Sequence, residues 1–533
     1  MRTLLRLAAA VLVAGVAVAA ALAGDDVLRS YKDRFNGKLF SEREQVLGEL
    51  AATADAKAVP ALLWCLEAAQ KQEARNLADA DKLSAKLEPL FEERNDKERK
   101  YAEPFIKQGK PIPKTRPRWP LDDDIQALES DLELAKRTAS DWHALVEQAK
   151  DRHGELVAAL PADAQEKLRA EWTAGPLGDK DFGVRSAQWD LVARVRTPWA
   201  LEMLETALRE EPDPRVLVHV VDGFTGRDPA RVTAALAGPM QDVRWIVRVA
   251  VVGVLERTAT KESVDLLVGA FEREDGRLLD DCARALATLT GEAFGSNGAQ
   301  WVAWWKEHRE TWEGKPTAKA DDKPLDPSKA YEDGAQGEKG RTGFFGIDTR
   351  SRRIVYVIDV SGSMNEPMVE GEKATRAEKA KDELSRAVAG LEDGSTFDIV
   401  FFAGEVRTWQ KQMVTASSDT RRDALEFIQK MPVIGGTATY DALKAAFDLG
   451  DVGKGKKRGA DPSGDSAVDT IILLSDGLPS VGVVTNPAAI RAAVLDWNRD
   501  RRIAVHTVAF GSKADKDFMA GLAADSGGTS VAK

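Results

Sequence analysis

The chain has 533 residues, which is too long for one hydrophobic core and predicts about three to four domains. Its 43% hydrophobic and 30% charged residues are ordinary for globular protein, which excludes wholesale disorder and a polytopic membrane protein. The net charge of −11 becomes −13 once two arginines of the N-terminal segment are removed, and phosphate backbones repel such a chain, so nucleic acid is not an expected partner.

The N-terminal segment has the pattern of a secretory signal peptide. Arg2 and Arg6 precede an uncharged apolar stretch at 7–23, which ends in small residues before Gly24. This pattern predicts a signal peptide over 1–23, cleaved after Ala23, and a secreted or periplasmic protein. The alternative is a retained membrane anchor, since the apolar stretch lies near the lower length limit for crossing a bilayer.

Residues 24–175 are predicted to be helical. Apolar residues at spacings of three and four predict a helix pair over 40–69. Charged, alanine-containing runs at 70–101 and 122–160 predict two long antiparallel helices, joined by the segment KQGKPIPKTRPRWP, whose prolines cannot continue a helix. We interpret the charged runs as solvated helix faces, with a partner-binding coiled coil as the functional alternative.

A repeat begins near residue 181. Four similar segments start at aspartates spaced 32, 29 and 33 residues apart, namely Asp181, Asp213, Asp242 and Asp275. Each aspartate can accept hydrogen bonds from the free amides of a helix start, and the period predicts an α-solenoid over 176–312 that resembles HEAT-type repeats. The tryptophans of the closing helix are interpreted as core rather than as a ligand-stacking platform; they are Trp301, Trp304 and Trp305.

Residues 313–344 are predicted to be a linker, because large apolar residues nearly vanish there while proline, glycine and charged residues dominate. Four continuous apolar runs follow, beginning at Ile354, Phe397, Thr470 and Ile503, with helical patterns between them. Continuous apolarity predicts strands that are covered on both faces. The predicted fold class is therefore an all-α N-terminal part followed by a doubly wound α/β domain with a parallel sheet.

Oxygen-bearing side chains gather where these strands end. Asp359, Ser361 and Ser363 leave the first strand, Asp476 ends the third apolar run, and Thr437 lies just before a predicted helix. Doubly wound sheets bind ligands at the carboxyl ends of their strands, so these five residues are expected to converge. Hydroxyl and carboxylate oxygens suit Mg²⁺ or Mn²⁺ rather than zinc or copper. The alternative is that Asp359 and the serines only cap a turn.

Residues 345–533 resemble a von Willebrand factor type A (VWA) domain, with the DxSxS pattern of its metal-ion-dependent adhesion site (MIDAS) at 359–363. The resemblance implies that Ser361, Ser363 and, in one ligation state, Thr437 coordinate the metal directly. It also implies that Asp359 and Asp476 often act through water. One departure from the family is the segment 365–376, which is longer than in many relatives and leaves open how accessible the metal face is.

Other chemistries find little support in the sequence. Cys65 and Cys282 stand far apart in apolar helical patterns, so we expect them in the core and expect no disulfide framework or cysteine-based zinc site. The five histidines show no metal-ligand spacing. The phosphate-loop-like segment at 450–457 has Lys457 where a magnesium-binding Ser or Thr is required. His506 lies in a buried strand pattern, so a serine hydrolase has no visible base.

The leading hypothesis is a non-enzymatic interaction, adhesion or scaffold protein, secreted or periplasmic. Its MIDAS would bind an exposed Glu or Asp of a protein partner through Mg²⁺, and the helical array would supply a second surface. One alternative is an RNA-binding protein like the Ro autoantigen family, which also joins helical repeats to a VWA domain, although the charge and the signal peptide argue against it. The other is an accessory subunit that presents a substrate to an enzyme, as in metal chelatases. Membrane contact is expected only if the N-terminal segment is retained.

Overall fold

The structure is a computed structural model that describes residues 26–37, 39–107, 117–314, 342–368, 372–431, 433, 435–450, 467–482, 484–511 and 514–533. It forms two compact units, which we call the N-terminal unit (up to Leu201, with 481–486) and the C-terminal unit (202–480, with 487–533). The predicted signal peptide at 1–23 lies outside the described residues, as do residues 315–341 of the predicted linker. Within the described ranges, no helix is both long enough and apolar enough to cross a bilayer.

The N-terminal unit is built from helices. They are α1 (Asp26–Phe35), α2 (Phe40–Ala52), α3 (Ala58–Lys107), α4 (Pro120–Ala159), α5 (Ala162–Ala174) and α6 (Phe182–Arg194). The predicted second helix of the pair and the first charged run are one continuous helix, α3, which contains Pro89 and Pro104. The antiparallel pairing of α3 and α4 is confirmed, because Glu73 lies 2.8 Å from His143 while Leu87 packs in one cluster with Ile125. The tip at 108–116 lies outside the described residues.

Shorter helices continue the chain into the C-terminal unit. They are α7 (Pro198–Glu210), α8 (Pro214–Asp222), α9 (Pro229–Leu236), α10 (Trp245–Thr258), α11 (Lys261–Ala270), α12 (Arg277–Thr290) and α13 (Gly298–His308). Trp301 and Trp305 are buried, whereas Trp304 is only partly buried, so the interpretation as core holds for two of the three tryptophans. The indole of Trp305 donates to Asp265 of α11 at 2.7 Å, so the closing helix packs on the preceding pair of helices. The HEAT-type classification remains a prediction, as do the domain boundaries.

The aspartates of the repeat do not all start helices in the same way. Asp181 and Asp213 are N-caps whose carboxylates accept backbone amides at 2.8 and 3.0 Å. Asp242 accepts the Arg244 amide at 2.8 Å, but its helix begins three residues after it. The expected cap at Asp275 is wrong, because Gly276 is the N-cap of α12 with a positive φ of 67°, a conformation that glycine adopts without steric cost.

The sheet follows a small hairpin of β1 (Thr342–Phe344) and β2 (Ile347–Thr349). Its strands are β3 (Arg353–Asp359), β4 (Thr396–Phe402), β5 (Val406–Thr408), β6 (Val414–Thr415), β7 (Thr470–Ser475), β8 (Ala504–Ala509) and β9 (Ser530–Ala532). The order is β5-β4-β3-β7-β8-β9, and β6 also pairs with β4. Strands β5 and β6 are antiparallel to β4, whereas β4, β3, β7, β8 and β9 run parallel.

Helices alternate with these strands as predicted. They are α14 (Arg376–Ala389), α15 (Ser418–Gln429), α16 (Thr439–Leu449), α17 (Pro487–Asn498) and α18 (Lys516–Ser526). The four predicted strands and the four helices predicted between them are confirmed, and the central strands are buried along nearly their whole length. Strands β1, β2, β5, β6 and β9 and helix α18 were not predicted from the sequence, and these strands have only two or three residues each.

The amino ends of the sheet strands contact the helices of the same unit. Arg277 of α12 donates to the carbonyl of Asp469 at 2.7 Å and to that of Arg502, the residues that lead into β7 and β8. Asp280 of α12 accepts the Arg350 amide at 2.9 Å, just before β3. His219 of α8 lies 2.8 Å from Asp500. We call these contacts the basal contacts, because they lie at the strand ends opposite the candidate site.

Candidate functional site

The strand order creates a crevice between β3 and β7. The chain leaves β3 toward β4 on one side and leaves β7 toward β8 on the other, so the connections diverge at the carboxyl ends of these two neighbours. Such a divergence leaves a gap where ligands of open α/β sheets bind. Asp359 is the last residue of β3, and Asp476 directly follows β7.

Asp359, at the carboxyl end of β3, is held in place by two hydrogen bonds. Its Oδ1 accepts the Ser361 amide at 2.8 Å, and its Oδ2 accepts the Ser475 hydroxyl at 2.6 Å. The side chain is fully buried. Burial raises the pKa of Asp359 to about 6 and the charge of Asp476 adds to the rise, while the hydrogen bonds from Ser475 and Ser361 oppose it. The carboxylate is therefore ionised at neutral pH and fixed in orientation.

Ser361, Ser363 and Asp476 form a chain of side-chain contacts across the crevice. The hydroxyl oxygens of Ser361 and Ser363 lie 3.1 Å apart, and Ser363 donates to Oδ1 of Asp476 at 2.7 Å. Asp476 and Ser361 are buried, whereas Ser363 is partly exposed. The structure thus brings four of the five predicted site residues into one connected cluster.

Thr437 enters from the loop before α16. Gly435 has a positive φ of 78°, which favours glycine, and its carbonyl accepts the Gly362 amide at 3.0 Å. This contact holds the loop against the serine turn. The Thr437 amide donates to the hydroxyl of Ser480 at 3.0 Å, and the Ser480 amide donates back to the Thr437 carbonyl at 3.0 Å. Thr437 is buried beside the segment that follows Asp476.

Two residues of the cluster were missed by the sequence analysis. Ser475 is the polar end of an apolar strand, and its position next to Asp476 was the available signal. Arg376 is the first residue of α14, where the positive end of the helix dipole disfavours a cation. Its Nη1 donates to Oδ2 of Asp476 at 2.8 Å, and both side chains are almost fully buried. An arginine at an unfavourable helix position was a signal that a carboxylate holds it.

The long segment 365–376 closes on itself. Pro367 and Thr375 form an antiparallel bridge, and the Arg376 amide donates to the Glu366 carbonyl at 2.9 Å. Residues 369–371 lie outside the described residues. The closure returns the chain to the site, since Thr375 caps α14 and Arg376 then reaches Asp476.

The donor set fits a small hard cation. Neighbouring ligands of an octahedral Mg²⁺ lie about 2.9 Å apart, and the two serine hydroxyl oxygens lie 3.1 Å apart. Neutral hydroxyls and carboxylates also match the oxygen preference of Mg²⁺ and Mn²⁺. Among the described residues, no group of three or more His, Cys, Asp and Glu side chains is placed to hold a metal. The cluster differs from such a group because hydroxyls supply half of its side chains.

Residues set aside by the sequence analysis lie where it expected. His506 is buried in β8, its Nδ1 accepts the Thr529 amide at 3.0 Å, and burial lowers the pKa of His506 to about 3. The imidazole of His506 is therefore neutral, and its Nδ1 is already engaged in a hydrogen bond. Cys65 and Cys282 are buried free thiols. Residues 451–457 of the phosphate-loop-like segment lie outside the described residues.

Residues 352–532 match the family model of the von Willebrand factor type A domain. The chain therefore consists of a helical N-terminal region followed by a VWA domain with a mostly parallel central sheet.

Similar proteins match about a third of the chain. Inter-alpha-trypsin inhibitor heavy chain H4 of Homo sapiens is 30% identical over 183 residues, which are 34% of this chain and 18% of that protein. Heavy chain H1 of Mesocricetus auratus is 27% identical over 182 residues, again 34% and 18%. The chain thus spans less than a fifth of the length of these relatives. A solved structure, von Willebrand factor type A from Catenulispora acidiphila, aligns with 23% identity and a TM-score of 0.28, covering 35% of this chain and 40% of that one.

Proposed function

We propose that this chain is a secreted or periplasmic, non-enzymatic interaction protein whose VWA domain binds an acidic residue of a protein partner through Mg²⁺ or Mn²⁺. The observation that carries the proposal is the pair of hydroxyls of Ser361 and Ser363, 3.1 Å apart and linked to Asp476 at the sheet crevice. The homology of the VWA domain to inter-alpha-trypsin inhibitor heavy chains agrees with a role in protein interaction.

Each residue of the cluster has a distinct part in the proposal. Ser361, Ser363 and, in one ligation state, Thr437 would ligate the cation through neutral oxygens. Asp359 and Asp476 would hold water molecules around it. When bound, the cation supplies a positive centre at which a partner carboxylate can replace water.

Arg376 strengthens the case for an anionic partner. Its guanidinium offsets the charge of Asp476, so Asp359, Asp476 and Arg376 together carry a net charge of about −1, less than a divalent cation brings. The loaded site would keep positive charge, which favours a charge-assisted contact with Glu or Asp.

Titration of the full chain with Mn²⁺ and Mg²⁺, followed by a capped glutamate peptide, tests this proposal. The whole protein is used because the basal contacts join the VWA domain to the helices before it. We expect saturable metal binding, and peptide binding only when metal is present. Asp359→Ala and Ser361→Ala should each abolish both, whereas Thr437→Ala should weaken the peptide step more than the metal step.

Thr408→Ala is the matched control, because it removes an exposed hydroxyl on the edge strand β5. It should bind metal and peptide like the wild type. Metal binding that survives both Asp359→Ala and Ser361→Ala would refute the assignment of the site. Peptide binding that survives chelator would refute the metal-mediated mechanism.

Export is a separate part of the proposal and has its own test. It rests on the pattern at 1–23, where two arginines precede an apolar stretch that ends in small residues, as at a signal-peptide cleavage site. N-terminal analysis of exported protein should begin at Gly24. A retained Arg2 would favour the membrane anchor instead.

A further inference from the structure

A polar cavity lies among helices of the N-terminal unit. It has a volume of about 170 Å³ and is lined by the end of α1, by α2, by α3 and by α4. The lining residues are Phe35, Asn36, Arg43, Ala68, Gln72 and Trp142. No step of the proposed metal-dependent function uses this cavity.

Arg43 is the charged residue of the cavity wall, and its guanidinium is held rigidly. Its Nε donates to the Phe35 carbonyl at 3.0 Å, and its Nη2 donates to the Gly37 carbonyl at 2.5 Å. The guanidinium also packs on two rings, 4.6 Å from the centre of Phe40 and 4.4 Å from that of Trp142. These contacts fix both the plane and the direction of the guanidinium.

One nitrogen of this guanidinium lacks a hydrogen-bond partner within the described ranges. Arg43 is only 8% exposed, and its Nη1 has no hydrogen-bond partner among the described residues. Nor does any carboxylate in that part of the chain form an ion pair with Arg43. Burial lowers the pKa of the Arg43 guanidinium, because part of its charge is removed from water. Buried charges in proteins are normally paired, so we expect an anion to bind beside the guanidinium of Arg43.

The cavity restricts which anion fits. One guanidinium offers one positive charge, so a monoanion neutralises it, whereas a dianionic phosphate would leave a negative charge buried. The ring of Trp142 and the methyl group of Ala68 suit an apolar tail, while the amides of Asn36 and Gln72 can donate to the carboxylate oxygens. Cavities of about 150 Å³ take up a six-carbon ring, so a ligand of about six heavy atoms matches this volume.

We propose that this cavity is a binding site for a small monocarboxylate, whose charge the guanidinium of Arg43 neutralises and whose carbon chain lies beside Trp142 and Ala68. A free short-chain acid and a glutamate side chain present the same chemistry. The site is independent of divalent cations, which separates it from the proposed MIDAS.

Calorimetry with the full chain in the presence of chelator tests the proposal. Butyrate is the probe for a free acid and a capped glutamate peptide is the probe for a side chain, at constant ionic strength. We expect saturable binding of at least one probe with a Kd on the order of 1 mM, typical of so small a ligand. Failure of the MIDAS proposal would not affect this result, since chelator removes the metal-dependent step.

Two variants test whether the probes bind in this cavity. Arg43→Met should weaken binding at least tenfold by removing the positive charge. Ala68→Leu should do the same by filling the cavity while leaving the arginine in place, which covers the case in which Arg43→Met does not fold. Arg152→Met is the control, because Arg152 is partly exposed and paired with Glu155 at 2.6 Å. No binding of either probe to the wild type, equal binding to Ala68→Leu, or tighter binding of phosphate than of butyrate would overturn the proposal.

Discussion

Replacing Arg277 by methionine should destabilise the C-terminal unit through loss of the basal contacts. Arg277 is only 6% exposed, and its Nη1 donates to the carbonyls of Asp469 and Arg502. Its Nε lies 3.2 Å from the buried carboxylate of Asp281, and its guanidinium lies 5.6 Å from the ring centre of Trp245. Methionine has a similar length but offers no donor and no charge.

The magnitude follows from these contacts. A hydrogen bond from a charged donor contributes about 1.5–3 kcal/mol, so the two bonds to carbonyls together contribute about 3–6 kcal/mol. Asp281 would also lose its partner, and breaking a buried ion pair costs about 3–5 kcal/mol. These losses overlap because they share one guanidinium. We therefore expect a decrease of at least about 3 kcal/mol in the free energy of unfolding of the C-terminal unit.

Urea unfolding of the full chain, followed by pulse proteolysis to detect unfolded C-terminal unit, measures this decrease. The control is Arg231→Met, because Arg231 is more exposed and its ion pair with Glu205 lies at the surface. Surface pairs contribute about 0–1 kcal/mol. If Arg277→Met lowers stability no more than Arg231→Met does, the basal contacts do not hold the sheet to the helices.

Arg376→Met should bind Mn²⁺ at least about tenfold more tightly in calorimetry, because removing a positive charge beside the cation outweighs losing the bond that orients Asp476; unchanged or weaker binding would contradict this. The pKa of the buried Asp398 is raised to about 7 by burial, from an ordinary value of 3.8, so the folded state keeps a proton that the unfolded chain releases. The free energy of unfolding of the wild type should thus decrease by up to about 4 kcal/mol from pH 4 to pH 8. Denaturation curves of Asp398→Asn should not show this contribution to the decrease. Burial raises the pKa of the thiols of Cys65 and Cys282, so a thiol reagent should modify them only after unfolding; rapid reaction of native protein would contradict their burial. Limited proteolysis should cut first within the predicted linker at 313–344, and the fragments should stay associated on gel filtration through the basal contacts; early cuts within 202–310 would contradict the proposed boundaries.

The sequence predicted the elements that have a strong pattern of their own. The runs at Ile354 and Thr470 are apolar throughout, and each is long enough to be a central strand, so both appear where expected. The convergence of Asp359 and Asp476 followed from the rule that parallel strands end at one edge. Asp213 could be predicted as an N-cap because capping is local in sequence.

Features that depend on distant partners could not be predicted in the same way. Strands β5, β6 and β9 have only two or three residues each, and pairing with longer neighbours defines them rather than any pattern of their own. The bond from Arg376 to Asp476 joins residues 100 positions apart, so neither position reveals the other. The continuity of α3 was hidden by composition, because the sequence changes from apolar to charged near residue 70 while the backbone remains helical.

The central strands are bonded to helix side chains at their amino ends and present the site residues at their carboxyl ends. This arrangement affects how rigidly the proposed site is held. At the amino ends, buried side chains of α12 bond to backbone atoms that lead into β3, β7 and β8. At the carboxyl ends, Asp359 and Asp476 are fixed by Ser475 and Arg376, while Ser363 is partly exposed. We expect strands held at their amino ends to move little at their carboxyl ends, so that the oxygens at the crevice keep their spacing before any ligand arrives. Such preorganisation reduces the ordering cost of binding. Arg277→Met should then also weaken Mn²⁺ binding even though Arg277 contacts no residue of the site, and unchanged Mn²⁺ affinity in that variant would show that the crevice is organised by its own contacts alone.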